Sequence, residues 1–297
     1  MRTLTPYRRG LLIATLGVLF IAPDSLLILM AQQPPANLMF WRNGMMSILF
    51  LVVIICARHH IVGRKISLAK FFPYIYSELK KVWMVVICYP LTSVSFLYGV
   101  LLNNAASNLI ILATAPLIGA LLNAIFLKKK VPRDNWLAII GVLLGISLVA
   151  ADGLISSHLA GMTFSFAAAF FFALFYFLLQ NKTINPLLLI WAMATSNMLF
   201  ALPFVSWGGV SQTQYLIMFV NAFASIGLSF LLTSYATRFI AAEETLLIFM
   251  LETLLGPLLV WWVLGQEPTA RTLVGGVVVM TVITIWTYKK MTQRQKT

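Results

Sequence analysis

The sequence predicts an all-α integral membrane protein with ten transmembrane helices, arranged as a 5+5 inverted repeat with the N- and C-termini in the cytoplasm. Three observations support this fold class: the apolar composition, the distribution of basic residues and an internal repeat. Hydrophobic residues make up 61% of the chain and charged residues only 10%, with a mean hydropathy of +0.93. Soluble domains carry about 25% charged residues, so a water-soluble fold is excluded.

Ten apolar stretches define the predicted spans. A helix that crosses a hydrocarbon core of about 30 Å needs roughly 20 residues, because each residue adds about 1.5 Å. The first stretch lacks the cleavage pattern of a signal peptide, so we interpret it as a retained span. The predicted spans are 10–31, 36–57, 82–102, 105–127, 136–151, 160–180, 187–207, 214–236, 242–264 and 270–288.

Basic residues give the orientation of these spans. All of the 21 Lys and Arg residues except Arg42 and Arg271 fall on one side of the membrane when the chain is threaded through the ten stretches. The positive-inside rule assigns that side, and with it both termini, to the cytoplasm. The sequence therefore predicts a multi-pass protein of the plasma membrane, in bacteria the inner membrane. Since the net charge of +13 is dispersed over loops, it does not indicate a nucleic-acid partner.

The loops are short, and the longest, residues 58–81, is too short to fold alone. It can hold a short amphipathic helix along the membrane surface. Cys56 and Cys88 fall inside spans and are interpreted as packing residues rather than a disulfide or a metal pair. We expect no metal and no cofactor.

An internal repeat supplies the third observation. Residues 105–116, which begin AASNLIIL and end at a proline, reappear loosely at 241–257 as AAEETLLI through a second proline. Five spans separate the two copies, so they enter the membrane from opposite faces. The repeat units are predicted at 1–152 and 153–297. Inverted repeats place a substrate site between the halves near the bilayer midplane, which predicts a secondary transporter that works by alternating access.

Four short motifs carry a resemblance to a known family. They are Phe40-Trp41-Arg42, residues 112–116 (LATAP), Leu251-Glu252 and residues 264–267 (LGQE). In this order within ten helices, the chain resembles the drug/metabolite transporter superfamily with tandem EamA-type repeats, and within it the YddG-type amino-acid exporters. The resemblance implies export of amino acids, including aromatic ones. One departure is Lys128-Lys129-Lys130, where the family often has a Gly-Glu pair.

Three ionisable residues, Asp24, Arg42 and Glu252, lie inside predicted spans, where each costs at least about 2.5–3.5 kcal/mol. Asp24 and Arg42 both lie about 10 Å from the outer ends of adjoining helices, so they can pair. The pair is either a structural ion pair or part of a cavity where Arg42 binds a substrate carboxylate and Asp24 an ammonium group or a proton. Glu252, near the middle of the ninth span, is either a protonation site or a neutral packing residue.

Polar and aromatic residues at depth complete the predicted substrate site, because such side chains combine stacking with hydrogen bonding. Prolines within spans are candidate hinges, although static kinks explain them equally well. The further predicted binding residues are Trp41, Tyr89, Tyr98, Asn108, Trp191, Asn197 and Tyr235. The candidate hinges are Pro23, Pro90, Pro116, Pro203 and Pro257.

Other functions remain open at this stage. A multidrug or other metabolite permease of the same fold is the main alternative, and a channel, a lipid scramblase or an integral-membrane enzyme fits less well. An enzyme is not expected, because the sequence has no HExxH motif, nucleophile elbow or metal-spaced His/Cys set. Ten spans can enclose a cavity in a monomer, while Gly141 and Gly145 form a GxxxG face that leaves a dimer open.

Overall fold

The computed structural model consists of helices and connecting turns throughout the residues it describes. The description covers residues 6–294 except 64, 127, 129–132, 156–158, 180, 181, 183, 237, 238, 240 and 241. Within the helices, the side chains of 116, 133–135, 139, 149–155, 234, 242–247, 249, 250, 287 and 290–294 are also outside the description.

Fifteen α-helices follow one another in the described chain. They are α1 (Pro6–Ile21), α2 (Asp24–Ala31), α3 (Pro35–Cys56), α4 (Arg58–Val62), α5 (Leu68–Lys81), α6 (Trp83–Leu102), α7 (Ala105–Leu112), α8 (Ala115–Phe126), α9 (Arg133–Ile155), α10 (Leu159–Leu179), α11 (Pro186–Ala201), α12 (Gln212–Val220), α13 (Ser229–Ala236), α14 (Ala242–Leu264) and α15 (Ala270–Arg294). A 3-10 helix, Leu202–Phe204, follows α11, and a π-helix, Asn221–Leu228, joins α12 to α13.

Seven helical segments of the described chain are long and apolar enough to cross a membrane, and three others are apolar but shorter. The protein is therefore a multi-pass membrane protein. The seven are Pro6–Ala31, Pro35–Cys56, Trp83–Leu102, Ala105–Phe126, Leu159–Leu179, Pro186–Phe204 and Gln212–Thr233. The shorter apolar stretches are Trp136–Leu148, Leu251–Leu264 and Ala270–Trp286, which lie in α9, α14 and α15.

Local sequence accounts for several helix starts. The Asn104 side chain accepts a hydrogen bond from the backbone N–H of Ser107 (2.7 Å), and Asn185 accepts one from Leu187 (3.0 Å). Ser211 and Gln214 form a reciprocal capping box at the start of α12. These side chains satisfy backbone donors that the first helical turn leaves unpaired, so α7, α11 and α12 begin at fixed residues.

Three spans predicted as continuous helices are interrupted. The first breaks between α1 and α2 at residues 22–23, and the fourth between α7 and α8 at residues 113–114. Pro23 has no N–H to continue the first helix. At the second break, the Thr114 hydroxyl donates to the carbonyl of Ile111 (2.7 Å) and competes with backbone hydrogen bonding. In the eighth span the α-helix widens into the π-helix at Asn221.

Helix packing joins elements that are distant in sequence. The most extensive pairings are α6 with α10, α9 with α15, α3 with α11 and α1 with α13. Helix α14 packs on α1, α2 and α7. Each of these pairings brings an element from the first half of the chain against one from the second half.

Two glycines allow α9 and α15 to approach closely. A Cβ placed on Gly141 would lie 2.9 Å from Val282 Cγ2, and one on Gly145 would lie 2.7 Å from Val279 Cγ2 and 2.9 Å from the carbonyl of Gly275. The GxxxG face of α9 is therefore occupied by packing within the chain. This arrangement explains the motif without a second copy of the protein.

We expect Gly145→Ala to destabilise the protein by about 1–3 kcal/mol, because the added methyl group overpacks the α9–α15 contact against the backbone at Gly275. Thermal unfolding in one detergent measures the effect. Gly119→Ala is the matched control, since a Cβ there meets no atom within 4 Å and alanine favours a helix. Equal unfolding midpoints for the two variants would contradict this account of the packing.

Candidate functional site

A cavity of about 160 Å³ lies between helices of both halves of the chain. The first half contributes residues of α1, α2, α3, α6, α7 and α8, and the second half contributes α10, the π-helix, α13 and α14. Phe96, Phe172 and Phe230 line it together with aliphatic residues, so most of the wall is apolar. A mostly apolar cavity with a few polar groups suits a small organic solute.

All three predicted intramembrane charges line this one cavity. Asp24 lies at the first residue of α2, Arg42 near the middle of α3 and Glu252 in α14. Tyr89, predicted from its depth, also lines it. The structure thus brings together four predicted residues that are separated by as many as 228 positions in the sequence.

The interruptions in the spans coincide with the cavity wall. Ile21 and Asp24 flank the break between α1 and α2, Ala113 lies in the break between α7 and α8, and Ile226 belongs to the π-helix. Irregular backbone at membrane depth is tolerated where it lines a cavity, since polar groups or water can satisfy the freed hydrogen bonds. Discontinuous helices and π-segments are typical of binding sites.

Asp24, Arg42 and Asn221 form a buried polar cluster on three spans. The Asn221 amide donates to Asp24 Oδ1 (2.8 Å), and its carbonyl accepts from Arg42 Nη1 (3.1 Å). Arg42 Nη1 also lies 3.5 Å from Asp24 Oδ1. The three residues are 5%, 4% and 2% exposed, respectively. Asn221 therefore bridges an acid and a base of the first half from the second half.

The guanidinium of Arg42 is incompletely paired. Its Nε is buried and has no hydrogen-bond partner, and its contact with Asp24 is a single long one rather than the two-pronged pairing that arginine makes with carboxylates. A buried unpaired donor costs about 1–3 kcal/mol. The cluster is thus short of one acceptor for Arg42, which an added carboxylate would supply.

Glu252 is partly exposed and faces the cavity rather than the packed core. Asp24, Tyr89 and Tyr176 line the same cavity. Two carboxyl groups and one guanidinium therefore share one small volume. This combination can accommodate a solute that carries both a negative and a positive group.

Above Glu252, α14 makes a close approach to its neighbours. A Cβ on Gly256 would lie 2.7 Å from Leu109 Cδ1 and 3.6 Å from the carbonyl of Ala22, which belongs to the break between α1 and α2. Next to this contact, Leu26, Ala105 and Val260 form an apolar cluster. These residues pack together at the ends of the spans that are predicted to face outward.

Six other predicted binding residues lie away from the cavity lining. Trp41 packs edge-on against Phe40, Trp207 and Tyr215 in a separate aromatic cluster. Trp191 joins two apolar clusters between α3 and α11. Their depth in the spans was predictable, but the face of the helix on which they lie was not.

The remaining four have other surroundings. Tyr98 stacks on Phe164 with the ring centroids 4.8 Å apart, and Asn197 donates to Asn43 Oδ1 (3.1 Å). Asn108 is fully buried with no hydrogen-bond partner for its amide. Tyr235 is 40% exposed on α13.

The candidate hinge prolines occupy different positions. Pro23 lies in the break between α1 and α2, Pro90 and Pro257 lie inside α6 and α14, and Pro203 lies in the 3-10 helix that follows α11. Pro116 is the second residue of α8, but its side chain is outside the described part of the structure. Pro257 lies in a continuous helix whereas Pro116 follows a break, so the two repeats are not alike here. Hinge motion at these residues stays a prediction.

One member of the polar cluster and several lining residues were not among the predicted binding residues. The cluster member, Asn221, is a polar residue in an apolar span, about 10 Å from its outer end, and its equal depth with Asp24 was the available signal. Tyr176, Thr92 and Thr253 line the cavity. In an aromatic-rich helix such as α10, no sequence signal separates Tyr176 from its lipid-facing neighbours. Among the described residues, no group of three or more His, Cys, Asp or Glu side chains can hold a metal ion.

The fold and the site together define a multi-pass membrane protein with a central, partly charged cavity that draws on both halves of the chain. Residues 8–151 match the EamA-like transporter family. The chain is 27% identical to an uncharacterized transporter, YdfC, of Bacillus subtilis, over 67% of this chain and 69% of that protein. The names of both matches point to a transporter.

A solved crystal structure of another protein has the same fold. It aligns over 97% of this chain and 99% of its own, with a TM-score of 0.61 and 13% sequence identity. This structural likeness covers both halves of the chain, whereas the family match covers only residues 8–151.

The two serines of α6 at positions 93 and 95 test whether the cavity is hydrated. Ser93 lines it and Ser95 does not, although both are at least nine-tenths buried. In a background with Cys56 and Cys88 replaced by alanine, we expect Ser93→Cys to react faster than Ser95→Cys with a small cationic methanethiosulfonate. The rates are measured by mass spectrometry, and equal rates at both positions would count against a water-accessible cavity.

Proposed function

We propose that this protein is a secondary transporter of the drug/metabolite transporter superfamily that exports small organic metabolites, most of all amino acids including aromatic ones, by alternating access. The observation that carries the proposal is the cavity in which Arg42, Asp24 and Glu252 meet within apolar walls. Burying a charged side chain inside a span costs free energy, so such residues usually have a function. Three of them around one cavity indicate a solute-binding site.

The charges match a zwitterion. The substrate carboxylate binds Arg42, whose guanidinium has an unpaired Nε and no bidentate acid. The ammonium group lies toward Glu252 and Asp24. A purely anionic solute would meet two carboxyl groups without compensation, and a purely cationic one would meet Arg42. An amino acid balances both.

The walls suit an amino-acid side chain. Phe96, Phe172 and Phe230 offer aromatic faces, and Tyr89 and Tyr176 add hydroxyl groups. The cavity of about 160 Å³ is below the range of about 300–1,000 Å³ that is usual for drug-sized ligands. Its size therefore favours an amino acid over a multidrug substrate. The resemblance to YddG-type exporters agrees with this substrate class.

The proposed architecture is ten spans in two inverted repeats, 1–152 and 153–297, with both termini in the cytoplasm and the protein in the bacterial inner membrane. The helix pairings support it. If each span is exchanged with the one five places along the chain, the pair α6–α10 becomes the pair α13–α1, and both are present. The pairs α3–α11 and α9–α15 and the contact of α7 with α14 map onto themselves.

In the proposed cycle the two repeats rock about the cavity, which opens first to the cytoplasm and then to the outside. Asn221 links the second repeat to Asp24 and Arg42 of the first. A substrate carboxylate that takes the place of the Asn221 carbonyl on Arg42 would loosen this link. Glu252 is the proposed proton-binding residue that couples transport to a pH gradient.

Arg42→Gln tests the carboxylate contact. A hydrogen bond to a charged group contributes about 1.5–3 kcal/mol, so we expect KM for amino-acid uptake to rise about 10- to 150-fold. Uptake of radiolabelled aromatic and aliphatic amino acids into proteoliposomes with the purified protein measures this. Arg271→Gln, which changes an arginine outside the cavity lining, is the control.

The amides of the same amino acids separate a binding defect from a folding defect. They lack the carboxylate and carry only the ammonium group, so Arg42→Gln should bind them at least as tightly as the wild type does. An unchanged KM for amino acids in Arg42→Gln would remove the proposed role of Arg42. Absence of uptake by the wild type beyond empty liposomes would redirect the search to other metabolites or drugs.

Glu252→Gln tests the coupling. We expect an imposed pH gradient to stimulate uptake by the wild type, and we expect Glu252→Gln to retain exchange of labelled for unlabelled substrate while losing the response to the gradient. Glu267→Gln, in the loop after α14, is the control. If the gradient stimulates uptake equally in the wild type and in Glu252→Gln, another residue couples transport to protons. If the gradient does not change uptake by the wild type, transport is facilitated diffusion.

A further inference from the structure

Helix α5 has one broad apolar face, part of it buried and part of it exposed. Phe71 and Ile75 are buried, at 0% and 4% exposure. Leu68, Phe72 and Tyr76 follow each other at intervals of four residues on the adjoining part of this face, and they are 45%, 55% and 72% exposed. Residues four apart lie above one another on a helix, so these three form a continuous apolar stripe. Within the described chain, this stripe is not covered.

The buried face holds α5 across the ends of two spans. Phe71 and Ile75 pack with Ile54, which lies near the end of α3, and with Leu188, which lies near the start of α11. After one intervening residue, Val82, α6 begins at Trp83. This packing places α5 at the level where the two spans end, which is the membrane surface. Its exposed stripe therefore faces the boundary between headgroups and acyl chains.

The charges around the stripe are positive. Lys65, Lys70 and Lys80 are exposed. Glu78, the acid of α5, is paired with Lys81 and does not neutralise them. The segment is held in place by Arg58, which donates to the carbonyls of Ile55 (2.8 Å) and Ile66 (3.4 Å). Ordered lysines beside an apolar stripe are complementary to an anionic lipid surface.

We propose that α5 and the residues just before it, through Leu68, Phe72 and Tyr76 of the stripe and the exposed Lys65, Lys70 and Lys80, form a binding surface for anionic phospholipids. We name it the α5 lipid face. The apolar side chains enter the upper acyl-chain region, and the three ammonium groups contact headgroup phosphates. The inference does not depend on the transported substrate, so it can hold or fail independently of the proposed function.

The test is native mass spectrometry of the detergent-purified protein with equal amounts of phosphatidylglycerol and phosphatidylcholine of the same acyl chains. We expect the wild type to retain phosphatidylglycerol preferentially. The triple variant Lys65→Gln/Lys70→Gln/Lys80→Gln should lose that preference. The matched control, Lys128→Gln/Lys182→Gln/Lys289→Gln, removes three exposed lysines elsewhere and should keep it. Inorganic phosphate at the same concentration should not displace the lipid.

A second measurement addresses the depth of α5 without relying on the lysines. Spin labels are attached at Tyr76→Cys or Ser77→Cys in a background without Cys56 and Cys88. The two positions are adjacent, but only position 76 is on the stripe. In phosphatidylglycerol nanodiscs the label at 76 should be more accessible to oxygen than to a soluble nickel complex, and the label at 77 the reverse. Equal retention of both lipids by the wild type, an unchanged preference in the Lys65/Lys70/Lys80 variant, or identical accessibility at 76 and 77 would each overturn the proposal.

Discussion

The hydrogen-bonded cluster of Asp24, Asn221 and Arg42 is the constraint on which the rest of the site depends. An acid and a base buried at 5% and 4% exposure are tolerated in an apolar helix bundle because the Asn221 amide serves both. Removing one member of such a set leaves a buried charge uncompensated, which costs several kcal/mol. The cluster therefore determines how α2, α3 and the π-helix sit around the cavity.

The helix interruptions follow from the same requirement. Asp24 begins α2 directly after the break at Pro23, and Asn221 begins the π-helix. An acid in the first turn of a helix interacts favourably with its amide end, so the break itself lowers the cost of burying Asp24. The irregular backbone and the buried polar residues Asp24 and Asn221 therefore lie at the same depth in the membrane.

The apolar helices and the three charged residues that line the cavity were predictable because each leaves a composition signal. Apolar runs of about 20 residues mark helices, and Asp24, Arg42 and Glu252 stand out against them. The side of the helix on which Trp41 or Tyr98 lies was not predictable. A helix that is apolar on all sides has no periodicity that separates its lipid-facing, core-facing and cavity-facing residues. At the breaks at 22–23 and 113–114 the apolar run continues, so the only sequence signals were Pro23 in the first break and Pro116 just after the second.

Gly256 lets α14 pack closely against α7, one helical turn beyond Glu252. Its contact with Leu109 and the neighbouring cluster of Leu26, Ala105 and Val260 contain only apolar side chains. Separating these helices would hydrate apolar surface, at about 25 cal/mol per Å², and would break no hydrogen bond of these side chains. The heat capacity of the protein would therefore rise if the helices separated here, and cooling would weaken the hydrophobic contribution that holds them together.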